Sequence, residues 1–253
     1  MTRRTMPDAR PAWRHLHHSA SVPYRRAGRF AWHFARGKLG WDPVFHAVLQ
    51  QGLVRPGARV LDLGCGQGLM ASLLAAVDRA AVPLQWPGAW APAPVNVHYT
   101  GIDLMPRDVA RAKMAIEPLQ TRASFLCGDI CEAPLPASDV VVMLDVLHYF
   151  PHAAQATLLQ RVHAALAPQG RLLVRIGDAS KRHRFAMSQW VDRVVTRARG
   201  HRVPPTFCRP LAEWVALLDG LGFFVRSVPM SQGTPFANVL LVADVRAAGG
   251  GIE

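Results

Sequence analysis

The chain has 253 residues, of which 50% are hydrophobic, and it carries a formal net charge of +12 at pH 7. A chain of this length and composition can bury a substantial core, which excludes a disordered protein and favours one α/β domain with additions over two independent domains. The basic N-terminus contains no apolar segment, and no stretch reaches the roughly 18 apolar residues of a membrane helix, so we expect neither export nor membrane insertion but a cytoplasmic location.

The positive charge is concentrated in two stretches of the chain. Residues 1–40 contain nine Arg or Lys and one Asp, a net charge of +8, and residues 175–209 contain nine Arg or Lys and two Asp, a net charge of +7. Only three of the 29 basic residues are lysines, and a GC-rich coding sequence also explains such an excess of arginine. If the two stretches are binding surfaces, they require an acidic partner, either nucleic acid or an acidic carrier protein.

The four cysteines predict neither a disulfide framework nor a metal site. Their spacing is irregular, and the pair Cys127 and Cys131 lacks the second pair that a structural zinc site uses. We therefore expect reduced thiols and no bound metal.

The part of the chain before the first strand is predicted to contain a tail and two helices. Residues 1–23 are rich in Pro, Arg and His without a helical period, which is typical of a flexible tail. From Phe30 to Leu53 apolar residues recur at helical spacing, with breaks near Gly37 and Gly40, which predicts two short helices. We divide the chain into a flexible basic tail at 1–23, an N-terminal helical lid at 24–54, a main domain at 55–247 and a second tail at 248–253.

The main domain alternates short apolar strands with amphipathic helices. Strands are predicted at ARVLDLG, VHYTGIDL, ASFLCGDI, SDVVVMLDVL and GRLLVRIGD, and helices at MASLL, PRDVARAKMAI and AAQATLLQRVHAALAPQG. This alternation predicts a doubly wound, mostly parallel sheet, with Ser138 to Leu147 as its central strand. Two inserts interrupt the pattern, a Pro- and Trp-rich flap at 78–98 and a basic segment at 178–206 that contains the helical pattern MSQWVDRVVTRARG.

The C-terminal part is predicted to add one helix and two strands. PLAEWVALLDGLGF has the pattern of a helix closed by Gly222. The strands FFVRSVPM and FANVLLVADV are joined by the short connection SQGTPF, which predicts an antiparallel pair at one edge of the sheet.

The stretch VLDLGCGQG joins the first strand of the main domain to its first helix. Its spacing, Asp62-x-Gly64-x-Gly66-x-Gly68, differs from the G-x-G-x-x-G of dinucleotide-binding proteins, and no Gly-Lys-Ser/Thr follows, which excludes a P-loop. Glycines let a ligand approach the backbone, and ligands of doubly wound sheets bind beyond the carboxyl ends of the strands. This glycine turn is therefore the predicted ligand site.

The glycine turn resembles the first motif of the class I S-adenosylmethionine-dependent methyltransferases. Three further acids lie where that family has them: Asp103 at the end of the second strand, Asp129 at the end of the third and Asp145 within the fourth. The resemblance extends from about Phe45 to Val245. It implies a Rossmann-like sheet with an antiparallel final strand, and S-adenosylmethionine as the cofactor.

The resemblance also implies roles for individual residues. Asp103 would accept hydrogen bonds from the ribose hydroxyls and Asp129 from the adenine amino group, while Leu104 and Ile130 would form apolar walls for the base. Asp62 and the backbone of Gly64, Cys65 and Gly66 would hold the methionine end, and Gly68 and Asp145 are further cofactor residues. Arg36 or Lys38, just before the main domain, are candidates for the cofactor carboxylate.

Two alternatives to these assignments stay open. Asp78 is closer than Asp103 to the sequence spacing expected of a ribose acid. Any single acid at a strand end can also be a helix cap or a solvated turn residue instead of a ligand contact.

His148, in DVLHYF, is the candidate catalytic residue. Methyl transfer to a hydroxyl or amine requires a group that removes a proton, and an imidazole has a suitable pKa for a general base. The alternative is that His148, one of 11 histidines, is structural. Tyr149, Trp86 and Trp90 are candidate substrate contacts, and the alternative for the two tryptophans is that they anchor a long loop.

The motifs around the fourth strand favour a small-molecule acceptor. The chain has neither the Asn/Asp-Pro-Pro-aromatic motif of enzymes that modify exocyclic amino groups of bases nor the Pro-Cys of enzymes that attack cytosine. GRFAWHFARGKLGWDPVF and MSQGTPFANVLLVA resemble methyltransferases of bacterial aryl-polyene and related fatty-acid-like pathways, which implies an aromatic or acyl acceptor, carried on an acidic acyl carrier protein. The alternatives are an RNA methyltransferase that contacts phosphates through its Arg-rich segments and a non-catalytic cofactor-binding scaffold. The sequence leaves the oligomeric state open.

Overall fold

The structure of the protein is a computed structural model that describes residues 9–80, 86–119, 121–177, 206–230 and 238–247. The chain forms two compact units, Met1–Asp129 and Ile130–Glu253. Within the described ranges, every helix is too short or too polar to cross a membrane, and no three His, Cys, Asp or Glu side chains cluster closely enough to hold a metal ion.

Three helices precede the first strand: α1 at Ala9–Ser21, α2 at Arg29–Trp41 and α3 at Pro43–Gln50. The prediction of a flexible tail over residues 1–23 is wrong from residue 9 onward. Ala12, Leu16 and Ala20 recur every four residues and are buried, so α1 has one packed face although its composition is polar.

The two helices predicted within residues 24–54 are confirmed as α2 and α3, but the break between them is not at a glycine. Gly37 and Gly40 lie inside α2, and the chain turns at Asp42 and Pro43. Asp42 Oδ1 accepts a hydrogen bond from Val44 N at 3.1 Å, and proline occupies the first helical position, where no N–H is needed.

The sheet of the first unit contains three parallel strands in the order β3-β2-β1. The elements are β1 Arg59–Leu63, α4 Leu69–Ala80, β2 His98–Asp103, α5 Pro106–Ile116 and β3 Ala123–Cys127. The register pairs Leu63 with Ile102 and Asp103 with Cys127, so the three strands end side by side. The turns that follow these strands therefore meet at one edge of the sheet.

The sheet of the second unit contains four strands in the order β4-β5-β7-β6. Its elements are β4 Ser138–Leu144, α6 His152–Ala165, β5 Leu166–Gly177, α7 Leu211–Gly220, β6 Phe223–Pro229 and β7 Asn238–Val245. β4 and β5 are parallel, as the helical crossover through α6 requires, and β7 is antiparallel to both β5 and β6. The predicted mostly parallel arrangement with an antiparallel end is confirmed.

Two predicted boundaries differ from the structure. β4 ends at Leu144 because Asp145 has a φ of +59°, which no extended strand accommodates, so Asp145 lies beyond the strand and not within it. α6 ends at Ala165, before the predicted end at Pro168, because a proline lacks the N–H and clashes with the preceding helical turn. Three predicted segments lie outside the described residues. They are the helix in MSQWVDRVVTRARG, the connection SQGTPF and the C-terminal tail at 248–253.

Candidate functional site

The glycine turn after β1 has left-handed backbone angles. The φ values are +79° at Gly64, +53° at Gly66 and +72° at Gly68. A Cβ at Gly68 would lie 2.8 Å from the Phe125 ring, so glycine is required there for packing as well as for conformation. A Cβ at Gly66 would meet no atom within 4 Å. The turn is thus closed at Gly68 and open at Gly66, where a ligand can approach.

Asp103, at the end of β2, holds the glycine turn. Gly66 N donates to Asp103 Oδ2 at 2.7 Å, and Met105 N donates to Asp103 Oδ1 at 2.8 Å. The rival acid, Asp78, instead accepts a hydrogen bond from Asn96 N at 2.8 Å and ties α4 to the first insert. The structure therefore brings Asp103 to the turn, while the ribose contact itself stays a prediction.

The loop after β3 reaches the same end of the sheet. Gly128 N donates to the backbone carbonyl of Asp103 at 3.0 Å, which places Asp129 one residue from this contact. Leu104, beside Asp103, is 62% exposed. An exposed leucine at this point fits the role of an apolar wall, because a bound adenine ring would cover it. Ile130, the other predicted wall, is buried at the start of the second unit.

The N–H groups of the glycine turn are used within the protein. Gly64 N and Cys65 N both donate to the carbonyl of Ile102, at 2.8 and 3.2 Å, and Gly66 N donates to Asp103. The three N–H groups already have acceptors, so the backbone contact predicted for Gly64 to Gly66 at the methionine end would use their carbonyl groups, and it stays a prediction.

Asp62 and Cys65 are buried beside the turn. Tyr99 Oη donates to Asp62 Oδ2 at 2.6 Å. Burial raises the pKa of Asp62 to about 7; the bond from Tyr99 opposes this shift and the charge of Asp103 adds to it. Burial also raises the pKa of the Cys65 thiol, with the charges of Asp62 and Asp103 adding to the effect. The Cys65 thiol is therefore protonated at neutral pH. It packs closely on Gly101, where an added Cβ would lie only 2.8 Å from its Sγ.

The segment from α1 to Tyr24 packs on the glycine turn, a contact that the sequence reading missed. Tyr24 Oη donates to the carbonyl of Gln67 at 2.7 Å, and Ser72 Oγ donates to the carbonyl of Ala20 at 2.6 Å. Tyr24 is fully buried. The signal available in the sequence was the four-residue spacing from Ala12 through Ala20 to Tyr24, which includes Leu16.

Arg36 and Lys38, the candidates for the cofactor carboxylate, lie on α2 and make contacts there. Lys38 Nζ pairs with Asp42 at 2.9 Å. The Arg36 guanidinium lies 5.8 Å from the centre of the Trp32 ring and lines a cavity with residues of α1 and α2. None of the described residues that line this cavity belongs to the glycine turn. The carboxylate contact stays a prediction.

Trp86 and Trp90 of the first insert are packed against protein. Their rings meet edge to face with centroids 5.2 Å apart, and Trp90 makes a second such contact with His46 of α3 at 5.1 Å. Trp86 Nε1 donates to the carbonyl of Ala91 at 2.7 Å, and Trp90 is buried. These contacts favour the anchoring role over the predicted substrate contact.

His148 lies in a single helical turn, Leu147–Tyr149, that follows β4 in the second unit. Its ring centroid is 4.1 Å from that of Tyr149. His148 Nε2 is buried and has no hydrogen-bond partner within the described residues. Burial lowers the pKa of His148 below 6.5, while the charge of Asp145 acts in the opposite direction. The imidazole is therefore neutral at pH 7, as a general base must be.

Asp145 has a structural partner that the sequence did not reveal. Arg175 of β5 donates from Nε to Asp145 Oδ1 at 2.7 Å and from Nη2 to Asp145 Oδ2. The Arg175 side chain is almost fully buried, so its charge requires this carboxylate. Asp145 thus forms an ion pair that fixes the start of the turn carrying His148, and the cofactor role assigned to it stays a prediction.

Gln155 of α6 connects the His148 turn to the segment before α7. It is fully buried, Arg209 Nε donates to its Oε1 at 2.9 Å, and Phe207 N donates to the carbonyl of His148 at 2.7 Å. Gln155 Nε2 donates hydrogen bonds to three backbone carbonyls, those of Leu147 at 3.1 Å, Phe150 at 3.0 Å and Phe207 at 2.8 Å.

The sequence contained a signal for this role of Gln155. Gln155 lies three, four and seven residues before Leu158, Leu159 and Val162, which are all buried, so it belongs to the apolar face of α6. A polar side chain on a buried face needs hydrogen-bond partners.

Comparison with known proteins places the chain in a family. A family model described as a methyltransferase domain matches residues 31–227. Acetylserotonin O-methyltransferase from Mus musculus is 34% identical over 148 residues, which cover 56% of this chain and 34% of that protein. The chain thus spans about a third of the length of this curated relative.

Two solved structures share the fold. Magnesium protoporphyrin IX methyltransferase from Synechocystis, solved with bound S-adenosylhomocysteine, has a TM-score of 0.58 and 17% identity, covering 94% of this chain and all of that one (100%). An O-methyltransferase family 2 protein from Planctomyces limnophilus, in complex with apigenin, has a TM-score of 0.61 and 18% identity, covering 89% of this chain and 64% of that one. At these identities the likeness establishes the fold alone.

Proposed function

This chain belongs to the methyltransferase domain family, and on that premise we propose that it transfers the methyl group of S-adenosylmethionine to a hydroxyl group of a small aromatic acceptor. The class I fold is that of enzymes with this cofactor. The acceptor and its hydroxyl are the parts of the proposal that go beyond the family.

The hydrogen bond from Gly66 N to Asp103 Oδ2 is the observation that carries the proposal. It joins the glycine turn and the ribose acid in one rigid arrangement, with the exposed Leu104 beside them. A carboxylate has about four acceptor positions, and in the proposal Asp103 accepts hydrogen bonds from the ribose hydroxyls besides those from Gly66 and Met105.

The residues of the first unit fit the cofactor chemically. Asp103 would hold the ribose, Asp129 and Leu104 the adenine, and Asp62 the methionine ammonium group. A cation next to Asp62 favours its ionised form, which compensates for the burial that raises its pKa to about 7. When bound, S-adenosylmethionine would supply a methyl group on a sulfonium, and a nucleophile would attack the methyl carbon in line with the departing sulfur.

In the proposed mechanism, His148 accepts the proton of the acceptor hydroxyl. Nε2 would take this proton as the acceptor oxygen bonds to the methyl carbon and the bond from that carbon to the sulfonium sulfur breaks, which would leave an imidazolium and S-adenosylhomocysteine. Two properties support this assignment: the pKa of His148 is lowered by burial, and Nε2 has no partner among the described residues. A general base of this kind contributes about 100- to 10,000-fold to the rate.

The relatives support an aromatic acceptor. Acetylserotonin, in the name of one curated relative, and apigenin, bound in one solved structure of the same fold, are both hydroxylated aromatic molecules. Delivery of the acceptor on an acidic acyl carrier protein is a finer part of the proposal. It is supported by residues 9–41, which contain seven Arg or Lys and no acidic residue.

A transfer assay tests the proposed function. The purified full chain is incubated with methyl-labelled S-adenosylmethionine and a panel of phenols that carry a carboxyl group, each offered free and as the thioester of that carboxyl group on an acyl carrier protein. We expect label in at least one phenol, and higher kcat/KM for the carrier-bound form at low salt. Label in RNA with none in any phenol would contradict the proposal. Turnover of the free phenols alone would rule out delivery by a carrier protein.

A further inference from the structure

Two adjoining cavities, of about 450 and 340 Å³, lie along α1 and α2. Arg14, His17 and Arg36 line both of them, and we call the two adjoining cavities together the α1–α2 groove. The proposed function uses the charge of residues 9–41 for a carrier protein, and Arg36 is a predicted contact of the cofactor carboxylate, but neither assigns a small ligand to this groove.

The charged lining of the groove has a single sign. Arg14, Arg25 and Arg36 are exposed and line it, and none of its described lining residues is acidic. Lys38, by contrast, is neutralised by Asp42. A concave surface lined by cations alone raises the local concentration of anions, so the groove selects a negatively charged ligand.

The aromatic lining holds the cations and offers a flat surface. Arg25 and Arg36 lie 4.8 and 5.8 Å from the centre of the Trp32 ring, which restricts both guanidinium groups before any ligand binds. Trp41 lines the same groove and is 81% exposed. A planar ring that covers Trp41 would remove a large apolar surface from water.

The shape of the groove is fixed by contacts between its two helices. His17 Nε2 donates to the backbone carbonyl of Arg36 at 2.8 Å. A Cβ at Gly40 would lie 3.1 Å from the same His17 nitrogen, so glycine lets the helices approach this closely. The groove is therefore preformed, and a ligand does not have to order it.

We propose that the α1–α2 groove binds a small ligand that combines an anionic group with a planar ring. Arg14 and Arg36 bind the anion, and Trp41 stacks on the ring. The volumes of the two cavities lie in the range of small-molecule sites. An aryl carboxylate and a nucleoside monophosphate share this chemistry. The inference concerns a binding site and does not depend on methyl transfer.

Isothermal titration calorimetry on the full chain, with saturating S-adenosylhomocysteine present, tests the inference. The probes are 4-hydroxybenzoate and adenosine 5′-monophosphate, each compared with its neutral counterpart, 4-hydroxybenzamide or adenosine. We expect at least one anion to bind and its neutral counterpart to bind at least about tenfold more weakly. The anion that binds shows whether the groove takes an aryl carboxylate or a nucleoside monophosphate.

Matched variants locate the site. We expect Arg14→Gln combined with Arg36→Gln to weaken binding of the anion about tenfold or more, and Trp41→Ala to weaken it severalfold. Arg107→Gln combined with Lys113→Gln removes the same charge from exposed positions on α5 and should leave the affinity unchanged. The four charged side chains and Trp41 are exposed or only partly buried, so we expect unchanged melting temperatures.

Several results would overturn the inference. These are equal affinity for an anion and its neutral counterpart, binding only in the absence of S-adenosylhomocysteine, and equal weakening by the α5 control. Binding of single-stranded RNA with neither small anion bound would also overturn it, because the groove would then be part of a polyanion surface.

Discussion

Gly66 and Gly68 have similar left-handed backbones but different surroundings. The backbone of Gly66 faces open space, where a ligand can approach, whereas Gly68 is in contact with Phe125 of β3. Asp103 then holds the turn through Gly66 N. The identity of single residues in this turn thus decides both the packing of the first unit and its capacity to bind a cofactor.

The difference between two left-handed glycines is measurable as stability. Gly68 and Gly57 have φ values of +72° and +71°, but only at Gly68 would a Cβ meet a side chain, at 2.8 Å. Both Gly→Ala changes cost about 1 kcal/mol of backbone strain. We expect Gly68→Ala to lose about 1–3 kcal/mol more of the free energy of unfolding, measured by urea titration, because of overpacking. Equal losses in the two variants would contradict the described packing at Phe125.

The pH dependence of methyl transfer tests the role of His148. Burial lowers the pKa of His148 below 6.5, so its neutral form persists at mildly acidic pH. With an acceptor found in the phenol panel, we expect the acid limb of kcat/KM to lie below pH 6.5. His148→Ala should lower kcat about 100-fold or more and leave the dissociation constant of S-adenosylhomocysteine unchanged. An acid limb above pH 7, or full activity of the variant, would refute a general base at this position.

Residues that follow strand ends were accessible from the sequence, and their partners were not. Asp103 ends a recognisable strand, which favours it over Asp78 as the ribose acid, and the structure brings Asp103 to the glycine turn. Asp145 was read with the same logic, but its carboxylate pairs with Arg175, 30 residues later in the chain. Such a pairing depends on the register of β4 and β5, which no local pattern encodes.

Among the elements, α6 has the most specific task. Its buried Gln155 binds carbonyls on both sides of the His148 turn and on the segment before α7, and Arg209 fixes the orientation of the amide. In this arrangement a helix that packs on the sheet also positions the loop of the proposed base. Gln155 acts through His148 and is a positioning residue.

Two glutamines of α6 provide a matched test of this positioning. Gln155 is fully buried, and Gln160 is exposed on the same helix. We expect Gln155→Met to lower kcat at least about tenfold and to destabilise the protein by about 1–3 kcal/mol, because buried carbonyls lose their donor. Gln160→Met should change neither. In a His148→Ala background Gln155→Met should lower kcat no further; an additive loss would mean that Gln155 acts independently of His148.

The sequence predicts the bounds of helices whose apolar residues recur at a clear helical spacing, and it misses a helix with few apolar residues. α5 has the bounds that the pattern PRDVARAKMAI predicts, because proline begins it and its apolar positions recur at helical spacing. The sequence predicts a tail where the structure has α1, because histidines and arginines surround the narrow apolar stripe of this helix. Its packing is tertiary: Ser72 and the glycine turn supply the partners of Ala20 and Tyr24.

For the molecule as a whole, the order of strands and helices accounts for the family fold, and the basic residues account for the α1–α2 groove. The methyltransferase domain match covers residues 31–227, and the fold follows from the order of strands and helices that the sequence already displayed. The excess of basic residues at 1–40 could be counted in the sequence, but its arrangement could not. Only the packing of α1 on α2 turns three of those arginines into one groove.

Burial of Asp62 affects the stability of the ligand-free protein as a function of pH. Its folded-state pKa of about 7 is above the ordinary 3.8, so the stabilising contribution is full below about pH 4 and is lost as the pH rises to 7. Asp62→Asn does not titrate. We expect its free energy of unfolding to rise relative to the unmodified protein by about 2–3 kcal/mol between pH 5 and pH 8, measured by urea titration. A constant difference over this range would rule out a protonated buried carboxyl.

The affinity for S-adenosylhomocysteine, measured by calorimetry, tests most directly whether the glycine turn and Asp103 form the cofactor site. Leu104 and Met114 are both exposed apolar residues, 62% and 48%, and only Leu104 adjoins Asp103. We expect the unmodified chain to bind S-adenosylhomocysteine, Leu104→Asp to bind it about tenfold more weakly or worse, and Met114→Asp to bind it unchanged. No binding by the unmodified chain, or equal affinity in all three proteins, would contradict this site.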